Sequence, residues 1–160
     1  MSRFKAAVIV LSDRAAAGER DDACIPIVLE CFGDVCEFVV QRVMPDEPAD
    51  LQAALIDLAD RERIALVLTS GGTGLSARDR TPQATAAILD YEVPGIPEAM
   101  RAASLAKVPT AMLSRAVAGV RGSTLIVNLP GSPKGVRETL DVLHPVVGHA
   151  LELLAGRDSH

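Results

Sequence analysis

Apolar and polar positions in this chain come in blocks, and the period changes from block to block. Phe4 to Leu11 and Ile64 to Leu68 are continuous apolar runs rich in Val, Ile and Leu. Short runs without alternation read as strands buried on both faces of a parallel sheet. Between them Ile25, Val28, Leu29 and Phe32 recur at helical spacing. This predicts a helix over residues 22–32, with Pro26 in its first turn, where a missing N–H costs little. Gly33-Asp34 closes that helix, and Val35 to Val43 reads as a second strand. Pro48 suits a first helical position, with Asp46 and Glu47 beside the positive helix end. Leu51, Ala54, Leu55, Leu58 and Ala59 then form the apolar face of a helix near 48–62.

The second half keeps the rhythm with more interruptions. Thr81-Pro82 predicts an N-cap followed by a first helical proline, opening a short helix to about Leu89. Val93 to Pro97 breaks the pattern, and a helix near 97–106 carries Glu98, Arg101 and Ser104 on neighbouring turns. From Ala111 the chain reads as extended: a pair of strands around Arg121-Gly122, the second over Leu125 to Leu129. Ser132-Pro133 opens a helix marked by Val136, Leu140 and Leu143, and a last helix after Pro145 carries Val147, Ala150, Leu151 and Leu154. The succession predicts an α/β fold of three layers, α/β/α. Its sheet is mostly parallel, with right-handed crossovers and one antiparallel edge strand or hairpin. Residues 1–156 read as a single domain and 157–160 as a tail.

Composition narrows the function classes. The chain has 160 residues, enough for one sizeable core, and a net charge of −5 without a basic stripe. It has no Trp, one Tyr and three Phe. That is too few aromatics for base-stacking platforms, so nucleic acid is not an expected partner. No run reaches membrane-spanning length and no signal peptide is legible, so a cytoplasmic protein without membrane contact is expected. The three cysteines, Cys24, Cys31 and Cys36, are odd in number and lack a C-x-x-C, and read as small core residues. His144, His149 and His160 form no helical pair suited to a metal.

An acidic protein that binds phosphates must do so locally, and one stretch is built for it. The strand over residues 64–69 runs into Thr69-Ser70-Gly71-Gly72-Thr73-Gly74, then Arg78-Asp79-Arg80-Thr81-Pro82. Glycines let backbone N–H groups approach an anion where a Cβ would block them. The other reading is a tight turn that needs positive φ angles. The ends of the other strands offer Ser12-Asp13-Arg14, Asp46, and Asn128-Leu129-Pro130-Gly131. A doubly wound sheet brings such ends to one edge, where its ligands sit. Asp46 and Asp79, on separate loops, suit Mg²⁺ held near phosphates, since that ion takes one or two carboxylates and keeps its waters. Either aspartate could instead serve a helix end or an ion pair. A Walker A loop is excluded because Gly74-Leu75-Ser76 lacks the lysine, and a dinucleotide fingerprint because the helix opens only at Pro82.

In order and spacing these segments resemble the molybdopterin adenylyltransferase family of molybdenum-cofactor biosynthesis proteins. The resemblance spans nearly the whole chain. It rests on Ser12-Asp13-Arg14, Met44-Pro45-Asp46-Glu47, the glycine loop with Arg78-Asp79-x-Thr81-Pro82, Pro94-Gly95, Leu113-Ser114-Arg115, Arg121 to Leu125, and Asn128 to Gly131. It implies transfer of AMP from ATP to the terminal phosphate of molybdopterin, with Mg²⁺ and release of pyrophosphate. It also implies a homotrimer and a downstream enzyme that inserts molybdate. Asp46 and Asp79 match the family's functional aspartates and Ser114 a serine tied to substrate handling, while the glycine loop and Pro130-Gly131 would wall the pterin and nucleotide pocket. Under this reading Asp46 and Asp79 are catalytic and hold the metal. Ser12, Asp13, Thr69, Ser70, Gly71, Gly72, Thr73, Gly74, Glu98, Arg101, Ser114, Asn128, Pro130 and Gly131 bind substrate or nucleotide. Arg101 or Lys134 would neutralise the substrate phosphate. A pterin-binding protein of the same pathway without catalysis is the alternative.

Overall fold

The apolar runs lack alternation because helices cover both faces of the sheet they form. The computed structural model describes residues 3–157, so residues 158–160 of the expected tail lie outside the described residues. The first half runs β1 (Phe4–Leu11), α1 (Asp13–Ala16), α2 (Cys24–Phe32), β2 (Cys36–Met44), α3 (Pro48–Ile56) and β3 (Leu66–Ser70). The second half runs α4 (Thr81–Ala86), β4 (Tyr91–Glu92), α5 (Gly95–Leu105), β5 (Ala118–Arg121), β6 (Thr124–Leu129) and α6 (Pro133–Leu154). The strands form one sheet of six in the order β2-β1-β3-β6-β5-β4. β2, β1, β3 and β6 are parallel, and β5 runs antiparallel in a hairpin with β6. The two-residue β4 covers the outer side of β5, so the antiparallel strand is not itself the edge.

The central strands β1, β3 and β6 send alternate residues into two cores. Ala6, Val8 and Val10 of β1 join Leu66, Leu68, Leu125 and Val127 beneath α2, α5 and α6. Ala7, Ile9 and Leu11 join Val67 and Ile126 beneath α3 and α4, against Leu51, Leu55, Leu58 and Ala84. Among the described residues no helix is long and apolar enough to cross a membrane.

Several boundaries differ from expectation. Residues after Pro48 form α3 and then a π-helical turn, Asp57–Arg61, in place of one helix to 62. α4 starts at Thr81 with Arg80 in the cap position and no side-chain cap bond. Thr81 is instead held by its own N–H, which donates to Gly72 O at 3.1 Å, so the glycine loop starts that helix. Pro109–Leu113 is a 3₁₀ turn, not the start of a strand; Met112 and Leu113, whose apolar character suggested one, are exposed. The two helices expected around Pro145 are one, α6, of 22 residues with Pro145 inside it. An interior proline costs about 3 kcal/mol. Val136, Leu140, Leu143, Val147 and Leu151 form one buried stripe along α6, and each contributes about 1.5–3 kcal/mol of burial. The stripe outweighs the lost hydrogen bond.

Candidate active site

The strand order reverses between β2-β1 and β3-β6, and the carboxyl ends of β1 and β3 flank that switch point. Their loops therefore open into a crevice. The loop after β1 begins at Ser12, whose hydroxyl caps α1 by accepting from Ala15 N. The next residue locks onto the loop after β2: Asp46 N donates to Asp13 Oδ1 at 2.9 Å, and Asp13 N donates to Asp46 Oδ2 at 3.2 Å. Arg78, from the loop after β3, grips both Asp13 oxygens at 2.9 and 3.0 Å and Glu47 Oε1 at 2.9 Å. Three separate loops are thus tied through one guanidinium, a bidentate fork of the kind lysine cannot make.

The two neighbouring aspartates are pushed in opposite directions. The hydrogen bond from Arg78 holds the Asp13 carboxyl below its ordinary range. Burial raises Asp46, and the charges of Asp13 and Asp79 add to the rise. Asp46 Oδ1 is buried and has no hydrogen-bond partner among the described residues. An acceptor left open in this way is a place for a ligand. Beside it, Gly72 adopts φ +70°, and a Cβ there would stand 3.1 Å from Asp46 Oδ1 and 2.2 Å from Thr81 Oγ1. Gly71, at φ +101°, could not carry a Cβ without striking Leu11 O at 2.3 Å. Asp79 turns the loop back on itself by accepting from Ser76 N at 3.0 Å.

The crevice holds two cavities, one on each side of the wall made by the glycine loop and Pro130-Gly131. The larger, about 600 Å³, is lined by Ser12, Asp13, Asp46, Ser70, Gly71, Gly72, Asp79, Gly131 and Ser132. The smaller, about 450 Å³, is lined by Thr73, Gly74, Met100, Arg101, Ser114, Pro130, Ser132, Lys134 and Glu138. Ser132 belongs to both and caps α6, accepting from Gly135 N at 3.1 Å.

Not every expected residue reaches a cavity. Asn128 and Thr69 are fully buried and joined to each other, Asn128 Nδ2 donating to Thr69 Oγ1 at 2.9 Å and to Thr85 Oγ1 at 3.1 Å. They brace β3, β6 and α4 beneath the site rather than lining it. Glu98 is exposed on α5 and lines neither cavity. Arg101 lines the smaller cavity, but its guanidinium donates to Ala116 O at 2.9 Å and Ser114 O at 3.4 Å. Ser114 Oγ in turn accepts from Ala116 N at 3.3 Å. Ser70 Oγ donates to Pro130 O at 2.8 Å, pinning the dividing wall.

Arg115 and Ser132 were missed as site residues. Arg115 N donates to Thr73 O and its guanidinium to Gly74 O and Asp79 O. It clamps both ends of the loop that presents Asp79. An arginine next to Ser114 in an otherwise apolar stretch was the available signal. Ser132 was legible as a cap, and only the fold places it between two cavities. Cys24 lines the larger cavity. Burial raises its thiol, as it does those of Cys31 and, to about 12, Cys36. His144 pairs with Asp34 at 2.9 Å, away from the crevice. No group of three or more His, Cys, Asp or Glu among the described residues is arranged to hold a metal.

A parallel sheet with a glycine loop and facing aspartates at its switch point defines a three-layer α/β domain for phosphate-bearing ligands. Residues 7–149 match the family model of molybdenum-cofactor biosynthesis domains, described as a probable molybdopterin binding domain, and the chain belongs to that family. It is 41% identical to molybdopterin adenylyltransferase of Escherichia coli K12 over 94% of this chain and 79% of that protein. The molybdopterin adenylyltransferase of Helicobacter pylori 26695 is 38% identical, over 98% and 90%. Among solved structures, the molybdopterin biosynthesis enzyme MoaB of Thermus thermophilus is 49% identical. It superposes with a TM-score of 0.91 over 96% of this chain and 97% of that one. The molybdopterin biosynthesis Mog protein of Mycobacterium ulcerans is 46% identical with a TM-score of 0.88, over 98% and 99%.

Proposed function

We propose that this protein is a molybdopterin adenylyltransferase of the cytoplasm, joining AMP from ATP to the terminal phosphate of molybdopterin. The observation that carries the reading is that Ser132 lines both cavities, with both candidate aspartates in the lining of the larger. A reaction between two large substrates needs two adjacent sites. An oxygen of the molybdopterin phosphate attacks the α-phosphorus of ATP in line, forming one P–O bond while the bond to pyrophosphate breaks. Phosphate is already a nucleophile at neutral pH, so alignment and charge neutralisation are what the protein must supply.

The larger cavity suits the nucleotide phosphates. Mg²⁺ fits its donor set, because Asp46 brings a buried oxygen with no other partner and Asp79 a second carboxylate on the same cavity. Asp46 and Asp79 would hold the ion, which when bound supplies charge neutralisation at the phosphates. Ser12 and the glycine-loop N–H groups orient the triphosphate, while Asp13, whose oxygens are taken by Arg78 and Asp46 N, fixes the loops around it. The acceptor phosphate belongs near Ser132, at the positive N-terminal end of α6, with Lys134 two residues further on. The ring system then lies in the smaller cavity, beside Ser114 and Arg101.

Assembly as a homotrimer and delivery of product to a molybdate-insertion enzyme complete the proposal. Exposed Leu105 and Met112, outside the cavity linings, offer an apolar contact between copies, which sedimentation would detect. The deciding experiment incubates the protein with molybdopterin, labelled ATP and Mg²⁺. Labelled, adenylylated molybdopterin is the expected product. Molybdopterin binding without AMP transfer selects a non-catalytic binder instead.

A further inference from the structure

On the reading that molybdopterin is the substrate, we infer that Glu138 is the residue that recognises the pterin, by accepting two hydrogen bonds from its pyrimidine edge. Glu138 lines the smaller cavity from the second turn of α6. Its nearest cations are Lys134 Nζ at 3.9 Å and Lys107 Nζ at 3.8 Å, both too far for a hydrogen bond. A plain i,i+4 surface pair would leave both partners in water. Here the side chain of Lys134 is 82% exposed and that of Glu138 only 11%. The carboxylate therefore points inward and keeps acceptor capacity that neither lysine uses.

The cavity around it matches a flat, largely apolar ring. Met100, Pro97 and Leu113 supply apolar walls, and Glu138 is the one carboxylate among the described residues of the lining. Sites of this kind place a small number of polar groups to fix orientation. The pyrimidine half of a pterin presents two parallel donors, the exocyclic amine and the adjacent ring N–H. An ionised carboxylate is acceptor-only and takes such a pair with both oxygens. Thr139, which is 4% exposed, has a single hydroxyl oxygen and cannot take two parallel donors with two oxygens as a carboxylate does. Spacing agrees as well. Glu138 stands six positions after Ser132, where the phosphate is placed, a rise of about 9 Å along α6. That is the reach a fused ring system needs between its phosphate ester and its far edge.

The test measures binding of molybdopterin, and separately of ATP, to the wild type and to Glu138→Gln. It then competes molybdopterin with pterin and with lumazine, which carries an oxygen in place of the exocyclic amine. Glu138→Gln should weaken molybdopterin binding on the order of 10²-fold, because the new amide turns a donor toward a donor, and should leave ATP binding within about threefold. Wild type should prefer pterin over lumazine by at least about tenfold, and the variant should lose that preference. Unchanged molybdopterin affinity in Glu138→Gln, or equal competition by pterin and lumazine in wild type, overturns the assignment while the proposed activity stands. The second comparison uses the native protein and decides the matter even if the variant does not fold. Wild type that binds no molybdopterin overturns both.

Discussion

The two cavities share a wall and a serine, yet they are chemically unlike. The larger is lined by five aspartates, Asp13, Asp21, Asp22, Asp46 and Asp79, with Arg14 and Arg20. The smaller has one carboxylate, Glu138, with Arg101 and Lys134 over a floor of Met, Pro, Leu and Ala side chains. Excess carboxylate beside a phosphate site is costly unless a cation joins it, so the acidic side suits metal-assisted phosphate chemistry. The apolar side suits recognition of a ring. The difference teaches that reaction and recognition are separable here, and substitutions should sort accordingly.

The largest effects should come from the acidic side. Asp46→Ala or Asp79→Ala should lower AMP transfer by on the order of 10²-fold or more while molybdopterin affinity holds. Near wild-type transfer by Asp79→Ala would remove it from the chemistry. Next comes the clamp between the sides. Arg115→Ala frees the carbonyls of Thr73, Gly74 and Asp79. It should cost roughly tenfold in kcat, since small displacements of a positioned group are expensive. An unchanged kcat would show that Asp79 is held by its Ser76 bond alone. Gly72→Ala tests the approach of the loop to Asp46. With φ +70° and a Cβ 2.2 Å from Thr81 Oγ1, it should destabilise the fold by roughly 1–3 kcal/mol, read by urea unfolding. Destabilisation below about 0.5 kcal/mol would mean that the loop relaxes freely.

The smallest effect is a pH dependence of the metal-free protein. Burial raises Asp46 above its ordinary 3.8. A carboxyl with a raised folded pKa contributes stability that is full below 3.8 and is lost as pH rises through the raised value. Asp13 acts oppositely: its lowered pKa contributes above 3.8 and is lost as pH falls through the lower value. Asp46→Asn should therefore gain stability relative to wild type as pH rises through the Asp46 window. Parallel curves for the two proteins between about pH 3 and pH 7 would contradict the split.

Much of the larger cavity was legible in the chain. A glycine loop after a buried strand, and acidic residues after the other strands, are local patterns, and the parallel order of α/β units puts them on one edge. The smaller cavity was much less so. Asn128 and Thr69 sit next to glycine and proline motifs, but strand alternation turns them inward, into a network with Thr85. Glu98 and Glu138 are both acidic helix residues. Only packing decides that the first faces solvent and the second a cavity.

The order of apolar runs and helical periods determined the layers, the parallel core of the sheet and the loops that carry phosphate chemistry, because backbone hydrogen bonding and two-sided burial leave few other arrangements. Tertiary structure alone decided that Pro145 sits inside one helix and that Arg78 and Arg115 serve as clamps. It also decided that Ser132 lines both cavities. Each of those outcomes depends on contacts between residues distant in the chain, and no local pattern encodes which distant partner a side chain will find.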